Sequence, residues 1–149
     1  MTQLTEHFTL EEFTDSQTAA RMGINNVPPQ GSPERKNLLR TAEVMEEVRT
    51  LLNNKPVLIS SGYRSPQVNA AVGGSKTSAH MSGLAADFSC PGFGTPKAIC
   101  KHLHAHMKAL GVDQLIYEYE TWVHLGLTTD APRHMAMTID NKGTRSGFA

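Results

Sequence analysis

The stretch Ser78-Ala79-His80-Met81-Ser82-Gly83-Leu84-Ala85-Ala86-Asp87 sets an imidazole seven positions ahead of a carboxylate. A second imidazole follows in Trp122-Val123-His124-Leu125. Two imidazoles and a carboxylate suit zinc, and zinc held by three protein ligands keeps its fourth position for water, the arrangement of a catalytic site. The residues therefore point to a hydrolytic zinc centre on His80, Asp87 and His124. A His-x6-Asp pair alone is weak evidence, because either residue is more often a satisfied surface or core group. Here the pair straddles an expected loop-to-strand junction. Gly83 permits close backbone approach, and the small Ala85 and Ala86 leave room beside the site. Trp122, Val123 and Leu125 around His124 are the surroundings of a buried, oriented imidazole. On spacing alone, a zinc ligand and a structural histidine both remain open.

Several elements must position these groups. Thr9 ahead of Leu10-Glu11-Glu12-Phe13 reads as the cap and first turn of a helix. Ser16 to Met22 is a second short helix that Gly23 can end, and Asn25 to Pro33 is a loop dense in breakers. Pro33, with Ser32 as its cap, opens the longest helix. Its apolar face is Leu38, Ala42, Met45, Val48 and Leu52, and Asn53-Asn54-Lys55-Pro56 stops it. Val57-Leu58-Ile59-Ser60 reads as a buried strand. A short helix is expected from Pro66 to Val72, then a flexible loop over Gly73 to Thr77, then a strand from Ala85 to Ser89. Thr95-Pro96 starts another helix that runs to Gly111. Asp113 to Glu118 and Thr121 to Leu127 flank a short turn and read as a hairpin. The tail from Thr138 to Ala149 has few apolar residues and is expected to be mobile. The whole reads as one α+β domain, its core about residues 8–127. Helices pack around a small, mostly antiparallel sheet, with the zinc in an open cleft at the sheet's edge.

Composition narrows the function. The chain has 149 residues, 14 basic and 14 acidic, for a formal net charge of zero. That is enough chain for a real core. It offers no basic excess to attract nucleic acid. The first residues lack a basic region followed by an apolar one, so no signal peptide is expected. No apolar run approaches the ~20 residues of a membrane helix. Synthesis in a cytoplasm follows from that reading. Cys90 and Cys100 are too far apart for a zinc knuckle and read as free buried thiols. His102, His104 and His106 compete as a metal site. His102 and His106 stand one helical turn apart, but Leu103 holds the place where a His-Glu-x2-His motif needs its glutamate, so an exposed helix face is the favoured reading.

Ser78-x-His80-x2-Gly83-x-Ala85-x-Asp87, preceded by Ser61-Gly62-Tyr63-Arg64-Ser65 and followed by Trp122-Val123-His124, resembles the D-alanyl-D-alanine carboxypeptidase family of zinc peptidases. More narrowly it is similar to the compact branch found in bacteriophage endolysins and phage cell-wall peptidases. Phe8-Thr9-Leu10-Glu11-Glu12-Phe13, Ser16 and Gly23-Ile24-Asn25-Asn26-Val27-Pro28 resemble that branch's opening. The resemblance implies that His80, Asp87 and His124 bind zinc, which activates a water to attack a peptide bond in peptidoglycan. Many members carry an acid three residues before the final histidine. Here Thr121 stands there and cannot act as a base. The nearest carboxylates are Glu118 and Glu120. If the hairpin turns through Tyr119, Glu120 and Thr121, Glu118 lies opposite Trp122 and points to the same face as His124. Glu118 is therefore favoured as general base over Glu120. Its alternative is an exposed hairpin carboxylate. Arg64 is expected to hold a substrate carboxylate or polarise the carbonyl oxygen, a role the resemblance supports. Its alternative is a surface arginine capping the next helix. Ser78 is expected to bond substrate or a ligand from behind, or else to cap its own turn.

The function expected is zinc-dependent hydrolysis of peptidoglycan stem peptides or cross-links by a monomeric phage lysis endopeptidase. It would act at the cell wall and leave the cytoplasm through a holin or similar partner. The alternatives are a bacterial D,D-carboxypeptidase or dipeptidase, and a non-catalytic virion or wall-binding module on the same fold.

Overall fold

The computed structural model describes Met1–Phe148 and has α+β architecture. The elements run α1 (Leu10–Thr14), α2 (Gln17–Met22), α3 (Pro33–Leu51), β1 (Leu58–Ser61), α4 (Pro66–Ala71), a 3-10 turn (Ala79–Ser82), β2 (Ala85–Ser89), α5 (Pro96–His104), α6 (Met107–Leu110), β3 (Gln114–Glu118), β4 (Trp122–Gly126), β5 (Met135–Asp140) and β6 (Gly143–Ser146). The strands form one sheet in the order β1-β2-β4-β3-β5-β6. β3 runs antiparallel to β4 and parallel to β5, and β5 antiparallel to β6. Contacts group the chain into two compact units, Met1–Glu46 with Ile59–Ala86, and Glu47–Leu58 with Asp87–Ala149. No helix among the described residues is long and apolar enough to cross a membrane.

In the first unit the expected cap of α1 is present, and Thr9 and Glu12 form a reciprocal capping box there. Ser16, read from sequence as part of the second helix, is the cap of α2, which ends on a left-handed Gly23. Leu38, Ala42 and Met45 of α3 are fully buried, as their spacing requires. Phe8 and Phe13 pack edge to face, 5.8 Å between ring centroids. Gly83 ends the 3-10 turn with φ 75°, and a Cβ there would collide with the Glu34 carbonyl on α3. Only glycine meets both demands. Thr41, also on α3, donates its hydroxyl to the Gly83 carbonyl at 2.7 Å. The turn that carries His80 is thereby tied to the longest helix.

In the second unit α5 packs on β3 and β4. Ile99, Cys100, Leu103 and Met107 from the helical side and Phe88, Leu115, Val123 and Leu125 from the strands are all buried. Each fully buried side chain of this size contributes about 1.5–3 kcal/mol. Both cysteines are free and buried, as expected, and burial pushes the Cys100 thiol up to about 12. The helix expected to run unbroken from Pro96 to Gly111 is two helices. The His106 N–H bonds back to Leu103 at 2.9 Å, which closes α5 before the chain restarts at Met107. Leu103, Met107 and Leu110 stay buried across the break.

One further expectation differs from the structure. β1 is an outer strand with Leu58 exposed, not a buried one. The C-terminal stretch from Thr138, expected to be mobile, carries the second half of β5 and the whole of β6, with Ala149 outside the described residues. Its strands are held by backbone pairing and by the Thr138 hydroxyl bonded to the Gly147 carbonyl at 2.6 Å. Apolar content alone does not register such contacts.

Asp113 anchors this end of the sheet. Its carboxylate takes three bonds from Arg133, at 2.8 Å from the backbone N–H and at 3.0 and 2.7 Å from the guanidinium. The Arg133 bonds hold its pKa below the ordinary aspartate value, against the opposing effect of burial. A carboxyl lowered in the folded state stabilises the fold above its unfolded pKa and loses that contribution as pH falls through the folded value. Asp113→Asn is therefore expected to unfold earlier than the parent at pH 7. The gap should narrow as pH drops below ~4. Thermal unfolding followed across that range checks it, and a gap independent of pH would mean the carboxylate charge contributes nothing.

Candidate active site

Asp87 comes from β2 and His124 from β4, neighbouring strands in the interior of the sheet. The edge placement expected from the sequence is corrected: β1 and β6 are the edges. Both side chains are buried, and His124 Nδ1 stands 2.8 Å from Asp87 Oδ1. The β3–β4 register pairs Glu118 with Trp122 and Ile116 with His124. Side chains alternate along a strand, so Glu118 and His124 share a face. Glu118 Oε1 lies 3.9 Å from His124 Nδ1. Tyr119 and Glu120 have φ 50° and 58°, and the Thr121 N–H bonds the Glu118 carbonyl at 3.0 Å. This is the tight turn that right-twisted hairpins favour. It leaves Glu120 and Thr121 exposed at the tip while Glu118 is half-buried.

His80 lies in the 3-10 turn of the first unit and is 2 % exposed. Its Nδ1 meets the Gly62 carbonyl at 2.6 Å. A carbonyl only accepts, so Nδ1 carries the proton and Nε2 keeps the lone pair, the outer-shell arrangement typical of metal-binding histidines. Gly62 has no freedom to change: a Cβ there would stand 2.5 Å from the Phe13 carbonyl. That carbonyl takes the Tyr63 N–H at 2.7 Å. The Arg64 N–H in turn donates to the His80 carbonyl at 3.1 Å.

Arg64 does not cap the following helix. Ser65 does that, its hydroxyl accepting from Val68. The Arg64 guanidinium donates instead to Asn69 Oδ1 at 3.3 Å, and the Asn69 amide donates to the Ser75 carbonyl at 2.9 Å. Ser78 caps the 3-10 turn, accepting the His80 N–H at 3.2 Å. Buried Asn26 is a residue sequence reasoning passed over as an organiser. Its amide donates to the Thr14 and Tyr63 carbonyls at 2.9 and 3.0 Å, and its oxygen accepts the Ser65 N–H at 2.8 Å. It fixes the backbone on either side of Arg64. The one sequence signal was its place in the stretch Gly23 to Pro28 that formed part of the family resemblance, which carried no mechanism of its own.

Does this chemistry fit a metal? One imidazole nitrogen facing two carboxylates gathers negative charge that a buried site must balance. A divalent cation supplies that balance, and the donor set of two imidazoles and a carboxylate is zinc's. His80, Asp87 and His124, all buried, make up a group able to hold a metal ion. The rival histidines do otherwise. His102 bonds the Leu51 carbonyl at 2.9 Å, and His104 packs its ring on Phe148.

Comparison with known proteins agrees. A stretch is 40% identical over 53 residues to a zinc D-Ala-D-Ala carboxypeptidase of Streptomyces albus G, covering 36% of this chain and 21% of that protein. The match thus spans about a fifth of the relative's length. Residues 6–126 match the peptidase M15 family. That stretch holds every candidate residue described above, and the chain belongs to the peptidase M15 family.

Proposed function

We propose that this protein hydrolyses peptide bonds in peptidoglycan stem peptides or cross-links, as a phage lysis endopeptidase, with zinc held by His80, Asp87 and His124. As an M15 family member the chain is a zinc-dependent peptidase. The observation that supports the catalytic assignment is the shared face of Glu118 and His124, with their atoms 3.9 Å apart. It sets a half-buried carboxylate beside the ligand group, in a chain where Thr121 stands three residues before the histidine. When bound, zinc polarises the scissile carbonyl and lowers the pKa of water toward ~7. Glu118 takes the proton from the attacking water and passes it to the leaving amine. The Gly62 carbonyl orients the His80 imidazole. Arg64 meets substrate charge, and Ser78 holds both its turn and the substrate backbone. The protein works as a monomer at the wall, reached through a holin-like partner.

The name of the Streptomyces relative supports a second reading, a D,D-carboxypeptidase that removes a terminal D-alanine. Turnover on purified peptidoglycan, with and without chelator, tests both. New amino and carboxyl ends inside the cross-links mark an endopeptidase, and free D-alanine a carboxypeptidase. Turnover that survives complete chelation would overturn the zinc mechanism, and no release of either kind would favour a non-catalytic module.

Arg64→Ala is expected to fold and keep its zinc but to turn over about 10²-fold more slowly, the loss typical of one electrostatic stabiliser. Steady-state kinetics beside metal analysis check it. Unchanged kinetics would limit Arg64 to a structural role in its turn.

A further inference from the structure

The second unit carries a basic surface that the peptidase chemistry does not use. Between Pro91 and Val112 the chain has Lys97, Lys101 and Lys108, three histidines and no acidic residue. Ile99, Cys100 and Leu103 take the buried side of α5. Lys97, Lys101 and His104 recur at spacings of four and three on another side. Lys101, His104 and Lys108 are exposed and Lys97 is half-buried. Among the described residues none of the three lysines has an ion-pair partner. In a chain of zero net charge this is a local asymmetry, not a general excess.

His104 also lines an open groove of about 420 Å³ together with His134, Thr144, Arg145 and Ser146. Arg145 bridges Asp140 at 3.1 and 2.7 Å, yet 47% of its side chain stays exposed. The groove's wall is built largely from β5 and β6, which lie beyond the residues 6–126 that match the family. Most of that wall therefore lies outside the matched stretch.

We propose that this surface binds a phosphodiester-linked anionic polymer of the cell envelope. One phosphate sits in the groove among Arg145, His104, Thr144 and Ser146, and its neighbours follow Lys97, Lys101 and Lys108. A guanidinium with hydroxyls and imidazoles beside it suits the several oxygens of a phosphate. A row of separate cations suits an anion that repeats along a chain, and such attraction weakens with salt. The choice of an envelope polymer rests on the wall-hydrolase reading.

Calorimetry of the full chain with a glycerol-phosphate polymer of defined length tests it. Binding is expected at low salt and should fade as salt rises. The triple variant K97Q/K101Q/K108Q should bind at least ~10-fold more weakly, while hydrolysing a small soluble stem peptide at the parental rate. The proposal is overturned if the parent does not bind the polymer, or if the triple variant binds it equally well. It is also overturned if hyaluronate, a carboxylate polymer, or duplex DNA binds as tightly. Failure to cleave the small peptide would instead strike the peptidase reading, and leave the polymer measurement to be judged by itself.

Discussion

Glu118→Gln is expected to bind zinc as the parent does and to hydrolyse peptide at least ~10²-fold more slowly, the low end for loss of a general base. The amide keeps the shape of the carboxylate and its place opposite Trp122 in the hairpin register. It removes only the ability to take a proton. Glu120→Gln should be mild, because Glu120 sits exposed in the turn with φ 58°, away from the face of His124. Paired kinetics and metal analysis of the two variants decide the matter. Reversed effects would make Glu120 the base, and two active variants would place the base outside this hairpin.

That assignment shows what the sequence made legible. Parity along two strands joined by a short turn was enough to put Glu118 and His124 on one face, because side-chain direction in a strand is set by backbone geometry. The face of α3 was equally plain, from Leu38 through Leu52, because helical burial repeats at three and four. The caps at Thr9 and Ser78 follow from short polar side chains next to unsatisfied N–H groups. What stayed hidden depended on contacts distant in sequence. Gly62 is required by the Phe13 carbonyl, and Asn26 joins Thr14, Tyr63 and Ser65. No local pattern encodes either. β5 joins the sheet by backbone pairing with β3, and β6 has no apolar side chain, so composition gave little sign of this end of the sheet. The break before Met107 arises from a single three-residue closure, below the resolution of a periodicity that Leu103 and Met107 preserve.

His80→Ala is expected to have the largest effect of all. His80 is 2 % exposed and its Nδ1 is committed to the Gly62 carbonyl, so its Nε2 is the atom left to coordinate. Removing it leaves Asp87 and His124, two ligands where a catalytic zinc site uses three. Losing a ligand should cost at least the ~10–100-fold in affinity typical of removing an outer-shell partner. Activity on peptidoglycan should fall to background along with the metal. The most direct measurement is the zinc content of the purified parent and of His80→Ala after dialysis against metal-free buffer. This assignment predicts one zinc per chain in the parent and near-complete loss in the variant. Stoichiometric zinc retained by His80→Ala, in a folded protein, would contradict it.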